Sequence, residues 1–316
     1  MTIPFIHRSP SPAETELLRL TFSTFCDGSG MLAAGAGGTL PGWRDFERAL
    51  ASHLGGENQE DKSVYDVVVQ GGDGTDFGLS VKSHDLKTKF NTLSTTGRVY
   101  MELSNALAQF WDELIRLGIT RADAESGREA QAIGDGILGL VRRWHQETAT
   151  AYSRMYPGRT LDIDESVFLS VSYNRPRSGP VYYQLHSFDT TFPPNLRWQF
   201  STDSCIRAED PLVPGEVLFD WYWKSGGQLK YYPRASTAKF SSPVFALEPL
   251  PPVTLERKTA LCFPSQWVAA GGTAAMPPSE FAAAIERQLP LLQDRSLQAE
   301  AKKLISKLKS ARPGKS

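Results

Sequence analysis

Tyr65-Asp66-Val67-Val68-Val69-Gln70-Gly71-Gly72-Asp73-Gly74-Thr75-Asp76-Phe77-Gly78-Leu79-Ser80-Val81-Lys82 is a stretch that folds back on itself. Val64 to Gln70 is a β-rich run, and Gly71 to Gly74 is a strong hairpin turn. Asp76 to Lys82 forms the return strand. Folding at the turn brings Asp66 and Lys82 to the same end of the hairpin. Ser80 and Lys82 are two residues apart, so both point to one face. A carboxylate beside a lysine at a strand end suits phosphodiester hydrolysis. The carboxylate offers hard oxygens to Mg²⁺, the cation polarises the phosphate, and the lysine offsets developing charge. Asp76 competes with Asp66 as a ligand, but its place after Gly74 reads as a turn exit.

Outward from the hairpin, the first half alternates helix and strand. Ser11-Pro12-Ala13-Glu14 opens a helix, since Ser11 can cap it and Pro12 fits its first turn. Gly28 to Gly42 reads as a loop. Trp43 to Leu54 is a helix with Trp43, Phe46, Leu50 and Leu54 on one face, closed by Gly55-Gly56. After Ser94-Thr95-Thr96, the spacing of Val99, Leu103, Leu107, Phe110 and Leu114 predicts a long helix to about Leu117. Another helical stretch covers about Ala124 to Tyr156. Beyond Pro157 the chain is rich in aromatics, Pro and Gly. Strands are expected at Val167 to Tyr173, Val181 to Phe188, Arg197 to Ser201 and Val217 to Lys224. A helical tail begins near Pro278 and ends in Lys302, Lys303, Lys307, Lys309, Arg312 and Lys315. The expected class is α/β (α+β): a mixed central sheet flanked by helices, then a β-rich portion and a C-terminal helix. The division is 1–160 and 161–316, or one continuous domain.

Tyr65-Asp66-Val67-Val68-Val69 and Leu79-Ser80-Val81-Lys82, preceded by the helix Trp43-Arg44-Asp45-Phe46-Glu47-Arg48-Ala49-Leu50, resemble the PD-(D/E)XK nuclease core used by many Type II restriction endonucleases. The resemblance covers roughly residues 40 to 117. It implies a restriction-endonuclease-like core, with Asp66 at the first acidic position, Lys82 as the lysine and Glu47 as the acid supplied by the upstream helix. Tyr65 stands where the family has proline. Ser80 stands where it has a second acid. A subgroup with Ser-X-Lys recruits a Glu from the following helix, and on that resemblance Glu102 is the candidate, with Asp66 and Glu102 holding Mg²⁺. That subgroup's Arg-acid-Arg signature is absent, Ser83-His84-Asp85-Leu86-Lys87 standing in its place. His84 reads as a surface or core residue.

A site-specific nuclease also needs phosphate contacts and base readers. Asn174-Arg175-Pro176-Arg177 follows a strand, and Arg and Asn can pair bidentately with guanine and adenine. Trp221, Tyr222, Trp223, Lys224, Lys230, Tyr231, Tyr232 and Arg234 form an aromatic-basic hairpin around Ser225-Gly226-Gly227, suited to packing on sugars or an extruded base. Lys87 and Lys89 are candidate phosphate contacts. The bland alternative is a sheet core and solvated turns.

Composition sets the limits. The chain has 316 residues with 41% hydrophobic and 22% charged, enough for a sizeable core. Lys+Arg total 34 against Asp+Glu 35, a net charge of -1, which excludes a polycation but not a local basic patch. Cys26, Cys205 and Cys262 are too few and scattered for a disulfide scaffold or a cysteine zinc site, and they suit the cytoplasm. No membrane span or signal peptide is visible. The expected activity is that of a Mg²⁺-dependent Type II site-specific endonuclease, a homodimer cutting a palindromic double-stranded DNA target. The alternatives are a repair or junction-cleaving nuclease on the same core and an inactive DNA-binding protein.

Overall fold

A computed structural model describes residues 2–247, apart from 27, 29, 35–37, 59–63, 87–92, 94–96 and 176–178; beyond 247 it describes 279, 282, 283, 286, 289 and 295–310. Along the chain the helices are α1 (Pro12–Ser23), α2 (Trp43–Leu54), α3 (Leu107–Arg116), α4 (Arg121–Glu125), α5 (Ala130–Met155) and α6 (Arg295–Ser310). The strands are β1 (Leu32–Ala33), β2 (Thr39–Leu40), β3 (Gly56–Asn58), β4 (Val67–Gln70), β5 (Thr75–Asp85), β6 (Met101–Asn105), β7 (Thr160–Tyr173), β8 (Tyr182–Asp189), β9 (Trp198–Thr202), β10 (Cys205–Asp210), β11 (Val213–Tyr222), β12 (Gln228–Tyr231), β13 (Phe240–Ser241) and β14 (Phe245–Ala246).

The central sheet is mixed, in the order β13-β8-β7-β5-β4-β3, with β14 also on β8. β5 and β7 run parallel, and the other pairs are antiparallel. A parallel pair needs a crossover, and here it contains β6, α3, α4 and α5. A separate antiparallel sheet has the order β6-β12-β11-β10-β9. Strands from both halves of the chain therefore share each sheet. Among the described residues no helix is long and apolar enough to cross a membrane.

Local chemistry explains the helix ends that frame the hairpin. Ser11 and Glu14 form a reciprocal capping box at α1. α2 starts where the Asp45 carboxylate accepts the Gly42 and Met31 N–H groups, each at 2.9 Å. It stops at Gly55, whose φ of +67° is open to glycine at little cost. Val67, Val69, Leu79 and Val81 then pack one sheet face against Phe22, Phe46 and Leu50 of α1 and α2. The alternating residues Ser80 and Lys82 face the other way.

Three elements differ from expectation. The loop of residues 28–42 contains the β1–β2 pair. The helical stretch 124–156 divides into α4 and α5. The long helix expected up to Leu117 begins only at Leu107, because 101–105 is strand β6. Val99 and Met101 are fully buried while Tyr100 and Glu102 are half-buried, a period of two. Val99, Leu103 and Leu107 fit helical spacing equally well, and a short apolar run does not separate the two periods. Pairing with β12 decides it, with Met101 opposite Tyr231 and Glu102 opposite Lys230.

Asp76 lies at the turn end of the hairpin, opposite Gln70. It is fully buried, ion-paired with Arg159 and hydrogen-bonded by the Tyr152 hydroxyl at 2.8 Å. Its role is to tie the hairpin to the end of α5 and the start of β7. Asp76→Ala is expected to lower the unfolding free energy by about 3 kcal/mol, the low end for breaking a buried pair, because Arg159 keeps some access to water. Urea denaturation checks this. A loss below about 1 kcal/mol would reduce the pair to a surface contact.

Candidate active site

Asp66 sits one residue before β4. Its N–H donates to the Leu79 carbonyl at 3.0 Å. One carboxylate oxygen accepts the Val81 N–H at 2.6 Å and stands 3.4 Å from the Lys82 ammonium. The carboxylate is thus fastened to the backbone of β5, and both side chains keep about a fifth of their surface open to solvent.

The residue before it is the anchor. Tyr65 is fully buried, and its ring fills the space over Gly78. A Cβ at position 78 would lie 2.3 Å from that ring, so glycine is required there. The Tyr65 hydroxyl pairs with Nδ1 of His145 on α5 at 2.7 Å. Burial, then the charge of Lys82, hold the His145 pKa down to about 4. His145 is therefore neutral at pH 7 where it meets the Tyr65 hydroxyl. Nothing in the sequence pointed to it, since it lies 80 residues from its partner.

Glu47 projects from α2 and is only 9% exposed. Burial pushes its pKa up to about 7, and the negative charge of Asp66 adds to the rise; Lys82, Arg44 and Arg48 oppose it. The charges of Asp66 and Lys82 thus both reach the Glu47 carboxyl. Ser80, at 2% exposure, lies two residues before Lys82 on the same strand face.

Glu102 is not on a helix. It belongs to β6 of the second sheet, opposite Lys230, where its carboxylate accepts from the Tyr100 hydroxyl at 3.5 Å. The expectation that it lies on a helix following Lys82 is overturned: the residues around it pair with β12 instead of coiling over the central sheet.

Two carboxylates of hard oxygen chemistry, one with its pKa raised by burial and then by its neighbour's charge, suit a small divalent cation. Mg²⁺ takes one or two protein carboxylates and completes its shell with water and substrate phosphate. Among the described residues no group of three or more His, Cys, Asp and Glu is placed to hold a metal ion. A cation here would have Asp66 and Glu47 as its protein carboxylates, with water and phosphate for the rest.

The expected DNA contacts are mostly engaged with other residues. Arg175 is paired with Asp85 at 2.7 Å. The Asn174 side chain accepts the Tyr182 N–H at 2.8 Å. Lys224 stands 3.3 Å from Asp203 and over the Trp223 ring. Arg234 is held by Glu216 at 2.6 Å, and Arg98 bridges Glu216 and Asp210. Arg177, Lys87 and Lys89 lie outside the described residues. No known protein family, curated protein or solved structure matches this chain.

Proposed function

We propose that this chain is a Mg²⁺-dependent DNA endonuclease built on a restriction-endonuclease-like core, a Type II enzyme that acts as a homodimer on a palindromic double-stranded target. The observation that carries this reading is the grouping of Glu47, Asp66 and Lys82 at the open end of one hairpin. Glu47 takes the role of second acid that Ser80 cannot fill, a neutral hydroxyl being a weaker ligand.

Asp66 and Glu47 would hold the cation, which when bound supplies Lewis acidity at the scissile phosphate and a lowered pKa for the attacking water. Asp66 is oriented before substrate arrives by the Val81 N–H and by the Tyr65–His145 pair. Lys82 holds a positive charge beside Asp66, placed to offset charge developing on the phosphate. Neutral His145 adds no competing charge behind the lysine.

Purified protein incubated with plasmid DNA and Mg²⁺ tests the reading. Discrete fragments support a site-specific endonuclease. Nicking confined to branched or damaged DNA moves the function to repair. A gel shift without cutting leaves an inactive DNA-binding core, and neither cutting nor binding overturns the proposal.

A further inference from the structure

The outer face of the second sheet continues from the catalytic strand. His84 follows Lys82 by two residues on β5, so it lies about 7 Å further along the same strand face. Its ring meets Tyr100 with centroids 3.9 Å apart. Tyr100 in turn touches Tyr232, with centroids at 5.5 Å. The Lys230 ammonium lies over two rings, 4.4 Å from Tyr222 and 5.7 Å from Tyr100. These five side chains, of His84, Tyr100, Tyr222, Lys230 and Tyr232, are half-buried, and none is a fully buried member of an apolar core.

The charges beside the rings alternate. Arg207 stands opposite Asp220, Asp220 opposite Lys230, and Lys230 opposite Glu102. Arg207 and Asp220 are hydrogen-bonded at 2.8 Å. Lys230 forms no ion pair among the described residues. A cross-strand row of charges that alternate in sign is a poor phosphate clamp. What the face offers are tyrosine rings with an ammonium over two of them, the combination on which nucleobases stack in single-stranded nucleic-acid binding.

We propose that the Tyr100–Tyr222–Tyr232 face, with Lys230, stacks unpaired nucleobases of the strand entering the candidate active site, next to the phosphate at Lys82. This rests on the nuclease reading and refines it: the nucleotides beside the cut leave the duplex before cleavage. His84 links the two parts, placing the first ring a short step from Lys82.

The test is binding of a short 2-aminopurine-labelled single strand, and of a duplex carrying the label at an unpaired position, without divalent cation so that nothing is cut. Wild-type protein is expected to change the label's fluorescence. Tyr100→Ala and Tyr222→Ala should each weaken binding about tenfold. Tyr100→Phe should retain it, since the ring and not the hydroxyl does the stacking; a merely structural role of the Tyr100–Glu102 hydrogen bond would make Phe as poor as Ala. Wild-type affinity in both alanine variants, or equal loss in Tyr100→Phe, overturns the proposal. If those results come with wild-type protein that still cuts plasmid DNA, only the stacking face is lost. If wild-type protein neither binds nor cuts any DNA, the nuclease reading itself has failed.

Discussion

Glu47→Gln is expected to cut DNA about 10²–10⁴-fold more slowly than the parent while making the cation-free protein more stable above neutral pH. The two effects share one cause. Glu47 titrates near 7 in the folded chain against 4.5 for an ordinary glutamate. Below the lower value it is protonated in both states, and no penalty exists. As pH rises through this window the unfolded chain gives up a proton that the folded chain retains, so stability falls until pH exceeds the upper value. A glutamine keeps the shape and avoids the charge. Thermal unfolding at about pH 5 and about pH 8 in chelator should show the parent losing stability and the variant not. Mg²⁺ should restore the parent at the higher pH and leave the variant unmoved. Single-turnover cleavage at saturating DNA separates this acid from Glu102. Glu102→Ala should alter binding but keep the chemical step. If Glu102→Ala instead stops the chemistry and Glu47→Gln cuts normally, the second acid has been misplaced.

Lys82→Ala is the other severe case. It should lower the rate of the chemical step by about 10²–10⁴-fold while duplex binding persists, since the ammonium stands beside Asp66 and not on a reading surface. Lys82→Arg should rescue little, because a planar fork does not occupy the place of a compact ammonium. Asp66→Ala should match it in activity and also free the Val81 N–H that the carboxylate accepts. A Lys82→Ala protein that melts like the parent and cuts at the parental rate would remove the lysine from the mechanism.

The hairpin and α2 were legible because their signals are local. A Gly-Gly-Asp-Gly turn, alternating apolar residues and a helix closed by Gly55 each fix structure within a few residues. That locality also brings Glu47, Asp66 and Lys82 within one short segment. β6 was not legible: Val99, Leu103 and Leu107 satisfy both periods, and the arbiter is Tyr231, over a hundred residues away. Glu102 was read as a helix residue for the same reason. Arg175 and Arg234 looked available because the sequence does not show Asp85 and Glu216 beside them. The roles of His145 and Tyr100 depend on contacts made only after the sheets assemble.

The parallel pairing of β5 with β7 has a consequence for how the chain comes to be. Synthesis delivers Glu47, Asp66 and Lys82 early, but the strand that completes the inner edge of β5 arrives only after α5. Until then the hairpin presents unpaired N–H and C=O groups along Thr75–Asp85, an edge open to pairing with other chains. The long crossover must close before that edge is covered, which places a high-separation contact on the route to the native sheet. Tyr65 likewise waits for His145 before Asp66 is held. A nascent or truncated chain ending before β7 therefore carries Glu47, Asp66 and Lys82 without their scaffold, on a hairpin whose edge is open to aggregation.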